Sequence, residues 1–233
     1  MSEPEYLTNT RNGYDAIAES SAEMFRSEFD GAPLDRAMLA GFAETVRRDH
    51  PDPRAVDVGS GHGVVTSFLA AQGLAVSGID LSAGMVEYAS RTYPDLDFAV
   101  GEMGRLPVPD AGVAAVVAWY SLIHVPAAER PAVVAEFRRV LRPGGYLLLA
   151  FQVGTDTRHL DEAFGRDIAL DFHRLDPDDV ASLLEVCGFE VFARLVRLPE
   201  PGSATAPVPQ AFLIGRTPVP APSTEPPPAT ARS

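Results

Sequence analysis

Apolar residues in the first fifty positions recur at helical spacing: Ile17, Met24 and Phe25, then Leu34, Met38, Leu39, Phe42 and Val46. No strand-like run interrupts them, and Pro51 and Pro53 close the segment. Residues 1–50 are therefore predicted to form a helical cap. From Arg54 onward, short apolar runs alternate with amphipathic ones. Strands are predicted at Ala55–Val58, Leu74–Ile79, Phe98–Val100, Val113–Trp119 and Tyr146–Phe151. Helices are predicted at Val64–Gln72, at Ser82–Thr92 with Ser82 as N-cap, and at Pro131–Leu141, which Pro143 and the Gly144-Gly145 turn stop.

Strands separated by helices imply right-handed crossovers and a mostly parallel sheet. Residues 153–175 break the rhythm, being polar and dotted with aromatics, and are predicted to be a lid insertion. Asp176 then serves as an N-cap, with Pro177 at the first helical position of a helix running to Val186 and ending at Gly188. Phe189–Leu198 and Ala211–Gly215 are strand-like, and no helix fits the Pro/Gly/Ser-rich link between them. They are predicted to pair as an antiparallel hairpin at the sheet edge. The expectation is an α/β fold with a doubly wound seven-stranded sheet, mostly parallel with an antiparallel C-terminal strand, plus the N-terminal cap. Its main domain spans residues 51–217, and the Pro-rich stretch 218–233 is expected to be disordered.

Composition narrows the function classes. No run approaches the roughly 18 apolar residues of a membrane helix. The first thirty residues carry no basic-then-apolar signal pattern, so a cytoplasmic location is expected. Acidic residues outnumber basic ones 32 to 19, for a net charge of −13. Such a surface repels phosphate backbones, which disfavours nucleic acid as a substrate. The pairs Arg47-Arg48 and Arg138-Arg139 read as solvated helix faces. Cys187 stands alone, so it allows neither an intrachain disulfide nor a cysteine metal site, and its apolar context predicts a buried structural role.

The strongest chemical signal is Ala55-Val56-Asp57-Val58-Gly59-Ser60-Gly61-His62-Gly63. A buried strand runs into glycines at alternate positions, which let backbone N–H groups approach a ligand without Cβ interference. Asp80 follows Gly59 by 21 residues at the end of the next strand, where a carboxylate can accept both hydroxyl hydrogens of a ribose. The dinucleotide fingerprint places its third glycine three positions after the second, which here is Val64. Asp57, two residues before the first glycine, suits a ligand bearing an ammonium group better than a pyrophosphate.

These motifs resemble the class I S-adenosylmethionine methyltransferases over about residues 10–216. Val56 to Gly63 is similar to that family's first motif, Gly78-Ile79-Asp80-Leu81-Ser82 to its second, and Gly101-Glu102-Met103 to its third. Leu141-Arg142-Pro143-Gly144-Gly145 resembles the family's turn before the fifth strand, and the final hairpin its reversed seventh strand. Tyr14-Asp15-Ala16-Ile17-Ala18 looks like the segment that closes over the cofactor. The sequence departs at His62, where the family often has proline, and at Ser21, where an aromatic is common. The resemblance implies a Rossmann-like sheet and S-adenosyl-L-methionine as cofactor with S-adenosyl-L-homocysteine as product. It also implies cofactor contacts at Tyr14, Asp57, Gly59, Ser60, Gly61, Gly63, Asp80, Leu81, Met85, Glu102, Met103, Trp119 and Tyr120. The sequence has no clustered Asp/Asn pattern of the kind metal-assisted catechol methylation uses, so no metal is expected. The Trp119–His124 string and His159-Leu160-Asp161-Glu162 look like small-molecule enzymes of bacterial natural-product pathways.

Methyl transfer from a sulfonium is a direct displacement, so a base is required only if the acceptor loses a proton as it attacks. His124, just past the fourth strand, is the candidate base or acceptor contact, with a structural histidine under the cofactor loop as the alternative. As a base it would give an acid limb with an apparent pKa near 6–7. Ser121, His159 and His173 are the remaining acceptor-contact candidates, with Phe164 and Phe172 as apolar wall or lid packing. His62 is expected to contribute backbone, and His50 to lie on the surface. The acceptor is expected to be a small molecule methylated on O, N or C, with no membrane or nucleic-acid partner, and the oligomeric state stays open. A nicotinamide-dependent oxidoreductase, or a protein of this fold that binds the cofactor without transferring methyl, are the competing readings.

Overall fold

Glu5–Ile17 (α1), Ala22–Gly31 (α2) and Pro33–Asp49 (α3) form the cap in this computed structural model, which describes residues 3–199 and 207–219. The apolar stripe of α3 explains its docking, because Leu39, Phe42, Ala43 and Val46 are at most 1% exposed. Most of the Pro-rich stretch expected to be disordered, residues 220–233, lies outside the described residues, as does 200–206.

Seven strands form the main sheet: Arg54–Val58 (β1), Ala75–Asp80 (β2), Phe98–Val100 (β3), Val113–Trp119 (β4), Leu141–Gln152 (β5), Glu190–Arg197 (β8) and Gln210–Arg216 (β9). Their spatial order is β3-β2-β1-β4-β5-β9-β8, with β9 antiparallel to both neighbours. The expected edge hairpin is therefore present. β5 is longer than its sequence pattern suggests, taking in the Pro143-Gly144-Gly145 turn as an irregularity against β4.

Alternation along buried strands builds a core on each face of the sheet. Val56, Val58, Val116, Leu147 and Leu149 face Arg130–Val140 (α6) and Pro177–Val186 (α7). Ala55, Val117, Leu148 and Ala150 face α3 and Val64–Ala71 (α4). Two helix starts follow their predicted caps. Ser82 Oγ accepts from Met85 N–H ahead of Ala83–Thr92 (α5), and Asp176 accepts from Asp178 and Asp179 N–H ahead of α7.

Residues 153–175 hold a feature that the sequence pattern did not reveal. Thr157–Ala163 (β6) and Arg166–His173 (β7) form a separate two-stranded antiparallel sheet. Its turn, Phe164-Gly165, has φ of +53° and +69°, the left-handed pair that suits a tight hairpin. Phenylalanine is a poor turn signal, and acidic and basic residues dilute the alternation, so the strands were hidden. β7 packs against α1, where Leu170 comes so close to Gly13 that an added Cβ would sit 2.8 Å from Leu170 Cδ2.

Three smaller expectations are corrected. His50 is half-buried, with Nε2 3.1 Å from the Gly144 carbonyl, because the end of α3 lies against the β5 turn. Cys187 is only partly buried, because it sits at the C-cap of α7 where it packs against the edge of the core. Arg139 ion-pairs with Glu136 and Asp110 at 2.7 and 2.6 Å, so that face of α6 is tied to the loop before β4.

Candidate active site

Strand order reverses between β1 and β4, and a crevice at the carboxyl ends of the strands is the expected place for a ligand there. A cavity of about 820 Å³ occupies that place. Tyr14, Asp57, Gly59, Ser60, Gly61, Asp80, Leu81, Met85, Glu102, Met103, Trp119, Tyr120, Ser121 and His124 all line it.

The loop after β1 is shaped by its glycines in two different ways. Gly61 has φ of +51°, and a Cβ there would meet nothing within 4 Å, so this backbone faces open cavity. Gly63 also has positive φ, but a Cβ there would press on Phe98 and Tyr93. It does not line the cavity and is corrected from ligand contact to the left-handed residue that starts α4.

Asp57 is fully buried in β1, with Oδ2 accepting from Thr66 Oγ1–H at 2.7 Å. Its Oδ1 has no hydrogen-bond partner, and neither does the buried Ser60 Oγ. Burial pushes the Asp57 carboxyl up to about 7, opposed by the Thr66 hydroxyl and helped by the charge of Asp80. An orphaned carboxylate oxygen at the cavity wall is what an ammonium group would satisfy.

Asp80, at the end of β2, accepts from Gly61 N–H at 2.7 Å and Ser82 N–H at 2.9 Å. Burial raises its pKa, while these two backbone donors lower it. Each oxygen keeps a further lone pair, enough for two ribose hydroxyls. Glu102 and Met103 follow β3 at the same rim. Asp15 of α1 accepts from Ser82 Oγ–H and from Gly84 N–H at 2.9 Å, which ties the cap to the start of α5.

His124 ends a single 3-10 turn, Leu122–His124, and is 7% exposed. Its Nδ1 lies 2.8 Å from the Asp171 carbonyl, which can only accept, so Nδ1 carries the hydrogen. Nε2 then accepts from the Tyr14 hydroxyl at 2.7 Å. Burial pushes His124 down to about 4. The expected titration near 6–7 is thereby corrected: both ring nitrogens are engaged, and the neutral form is held.

His159 and His173 do not line the cavity. They alternate with the inward residues of the hairpin, Arg158, Leu160 and Phe172, so the two-residue period turns them outward. His159 instead bonds Asp171 Oδ1 at 2.6 Å and Asp161 Oδ1 at 3.1 Å, and His173 Nδ1 lies 2.8 Å from Thr157 Oγ1. Phe164 and Phe172 do reach the cavity wall. Asp35, Gln152, Arg197 and Gln210 also line the cavity and were not foreseen. The available signal was position: Gln152, Arg197 and Gln210 sit at strand ends on the cavity edge of the sheet.

Residues 55–145 match the model of a family described as a methyltransferase domain. A protein of Mycolicibacterium smegmatis named as an S-adenosylmethionine-dependent methyltransferase is 34% identical over 139 residues, covering 58% of this chain and 51% of that protein. A demethylmenaquinone methyltransferase of Beutenbergia cavernae is 39% identical over 102 residues, covering 43% and 41% respectively. The chain thus spans about half the length, or less, of these relatives. The structure of DhpI in complex with S-adenosylhomocysteine overlays with a TM-score of 0.70 at 22% identity, covering 94% of this chain and 100% of that one. The chain therefore shares the fold of the DhpI structure, and residues 55–145 match a methyltransferase domain.

Proposed function

We propose that the protein moves a methyl group from S-adenosylmethionine to a small-molecule acceptor held in the same cavity. The unpaired Oδ1 of Asp57 carries this reading, because it is a buried anionic site awaiting a cation beside an open glycine backbone. Asp57 would hold the ammonium group, Asp80 the ribose hydroxyls, and Glu102 with the backbone of Met103 the adenine edge. When bound, the cofactor supplies an already activated methyl group. The protein's task is then alignment and exclusion of water.

Tyr14 and His124 roof that position. The Tyr14 O–H points at His124 Nε2, so the phenol oxygen keeps its lone pairs for a ligand donor. His124 positions Tyr14 and the β7 backbone and takes no proton itself. A small acceptor is supported by the cavity's volume, which lies in the range of small-molecule sites, and by the net charge of −13, which disfavours nucleic acid.

Calorimetry with S-adenosylmethionine and S-adenosylhomocysteine tests the binding half. Asp80→Ala should weaken binding by about 1.5–3 kcal/mol, the range for hydrogen bonds to a charged group. Unchanged affinity in a folded variant would remove Asp80 from the site. Gain of one CH₂ by members of an acceptor panel, with formation of S-adenosylhomocysteine, tests the transfer half. Tight binding without any turnover would instead support the non-transferring reading.

A further inference from the structure

The strand ends on the far side of β4 carry a polar row. Gln152 of β5 is the register partner of Gln210 of β9, and Gln210 is in turn the partner of Arg197 of β8. Directly opposed residues share a face with Cβ atoms about 4.5–5.5 Å apart. Two carboxamides and a guanidinium therefore stand side by side, and all three line the cavity.

These are not solvated strand ends. Gln210 is 1% exposed, and its Nε2 donates to the Val208 carbonyl at 2.7 Å. Among the described residues no donor meets its Oε1, and the Gln152 carboxamide has no partner. Asp35 of the cap grips Arg197 with two bonds of 2.7 and 3.1 Å. The guanidinium is thereby fixed in place and its charge balanced. The next residues down the same face are Ala150 and Phe212, and Trp119 packs on Phe212 with ring centroids 5.2 Å apart. The row is thus a hydrogen-bonding edge beside an aromatic floor.

Asp57, Asp80 and Glu102, to which the methyl-transfer reading gives the ammonium, ribose and adenine groups, stand on the opposite side of β4, on β1 and β2 and just after β3. The row therefore faces whatever shares the cavity with the cofactor. A carboxamide presents one donor and one acceptor side by side, the complement of an amide or lactam edge. With Arg197 balanced by Asp35, and with Glu28 on the wall to offset Arg158 of β6, the row offers no net positive charge to an anion.

We propose that Gln152, Gln210 and Arg197 are specificity residues that read the acceptor, and that the acceptor is a neutral, planar ring compound with an amide-type edge. This rests on the methyl-transfer reading only in calling the bound molecule an acceptor.

Two neutral bicyclic probes of similar size separate the idea from simple aromatic packing: 2-quinolone, which has a lactam edge, and 1-naphthol, which has none. Calorimetry on protein saturated with S-adenosylhomocysteine should show the quinolone binding roughly tenfold more tightly. Gln152→Leu and Gln210→Leu should each bring that ratio toward one while affinity for S-adenosylhomocysteine holds. If Gln210→Leu fails to fold, the half-buried Gln152→Leu carries the test alone. Equal binding of the two probes, an undiminished ratio in a folded variant, or binding of neither probe overturns the proposal. Failure to bind S-adenosylhomocysteine would instead overturn the methyl-transfer reading, and the probe ratio would still be measured on the free protein.

Discussion

Ser21 Oγ lies 3.2 Å from His62 Nε2, so the two positions where the sequence departs from the family pattern touch each other. His62 Nε2–H also donates to the Ala18 carbonyl at 2.8 Å, and the Ser21 hydroxyl donates to the Ile17 carbonyl at 2.7 Å. The ring packs between Phe25 and Tyr88, with centroids at 5.4 and 5.1 Å. An imidazole from the cofactor loop thus anchors the end of α1. Beyond the backbone role expected of it, His62 contributes its ring as a structural anchor.

His62→Ala should therefore loosen the cap and disturb the loop together. Loss of the shared donor leaves the buried Ala18 carbonyl unsatisfied, costing about 1–3 kcal/mol. A melting temperature several degrees lower, with weaker binding of S-adenosylhomocysteine, is the expected outcome. A drop in stability with binding unchanged would show that the anchor does not support the site.

Asp57 makes stability and binding respond to pH in opposite directions. Its folded value, about 7, lies above the ordinary 3.8, so the folded state binds the proton more tightly. That contribution to stability is complete below 3.8 and is lost as pH rises toward 7. A cationic ligand prefers the carboxylate, so affinity should rise over the same interval. Asp57→Asn should flatten both profiles of the free protein, as read by thermal melts and calorimetry from pH 4 to 8. A binding profile unchanged by that substitution would separate Asp57 from the ammonium group.

His124 titrates with the other sign. Burial holds its folded value near 4, below the ordinary 6.5, so its contribution is present above 6.5 and lost as pH falls toward 4. His124→Ala should lower stability and cofactor affinity together, because Tyr14 and Asp171 both lose their partner. The wild-type transfer rate should show no acid limb near 6–7 from this residue. A loss of more than about 100-fold in single-turnover rate, with stability and affinity intact, would restore His124 as a base.

The cofactor half of the site was legible because its chemistry is local. Asp57, the glycines and Asp80 lie at fixed distances along a strand–loop–helix–strand path, where spacing is geometry. The rest depends on elements far apart in the chain. Nothing near His124 in sequence announces Tyr14 or Asp171, which are 110 and 47 residues away. His159 and His173 were misplaced because the hairpin was not recognised, and without its register an inward residue cannot be told from an outward one. Gln152, Gln210 and Arg197 looked like polar strand ends, and only the pairing of β5, β9 and β8 lines them up.

The division of the sheet at β4 suggests how such a protein could be re-engineered. The matched family region ends at residue 145, just before the part of β5 that leads to Gln152. Downstream of that seam lie Gln152, Arg197 and Gln210 and the β6–β7 hairpin, which line the cavity together with Glu28 and Asp35 of the cap. A chimera joined at Gly145, with α2 and α3 carried over from the same donor, would exchange one recognition surface as a unit. The β1–β3 half would stay in its original frame, because β4 is the shared seam against which both halves register.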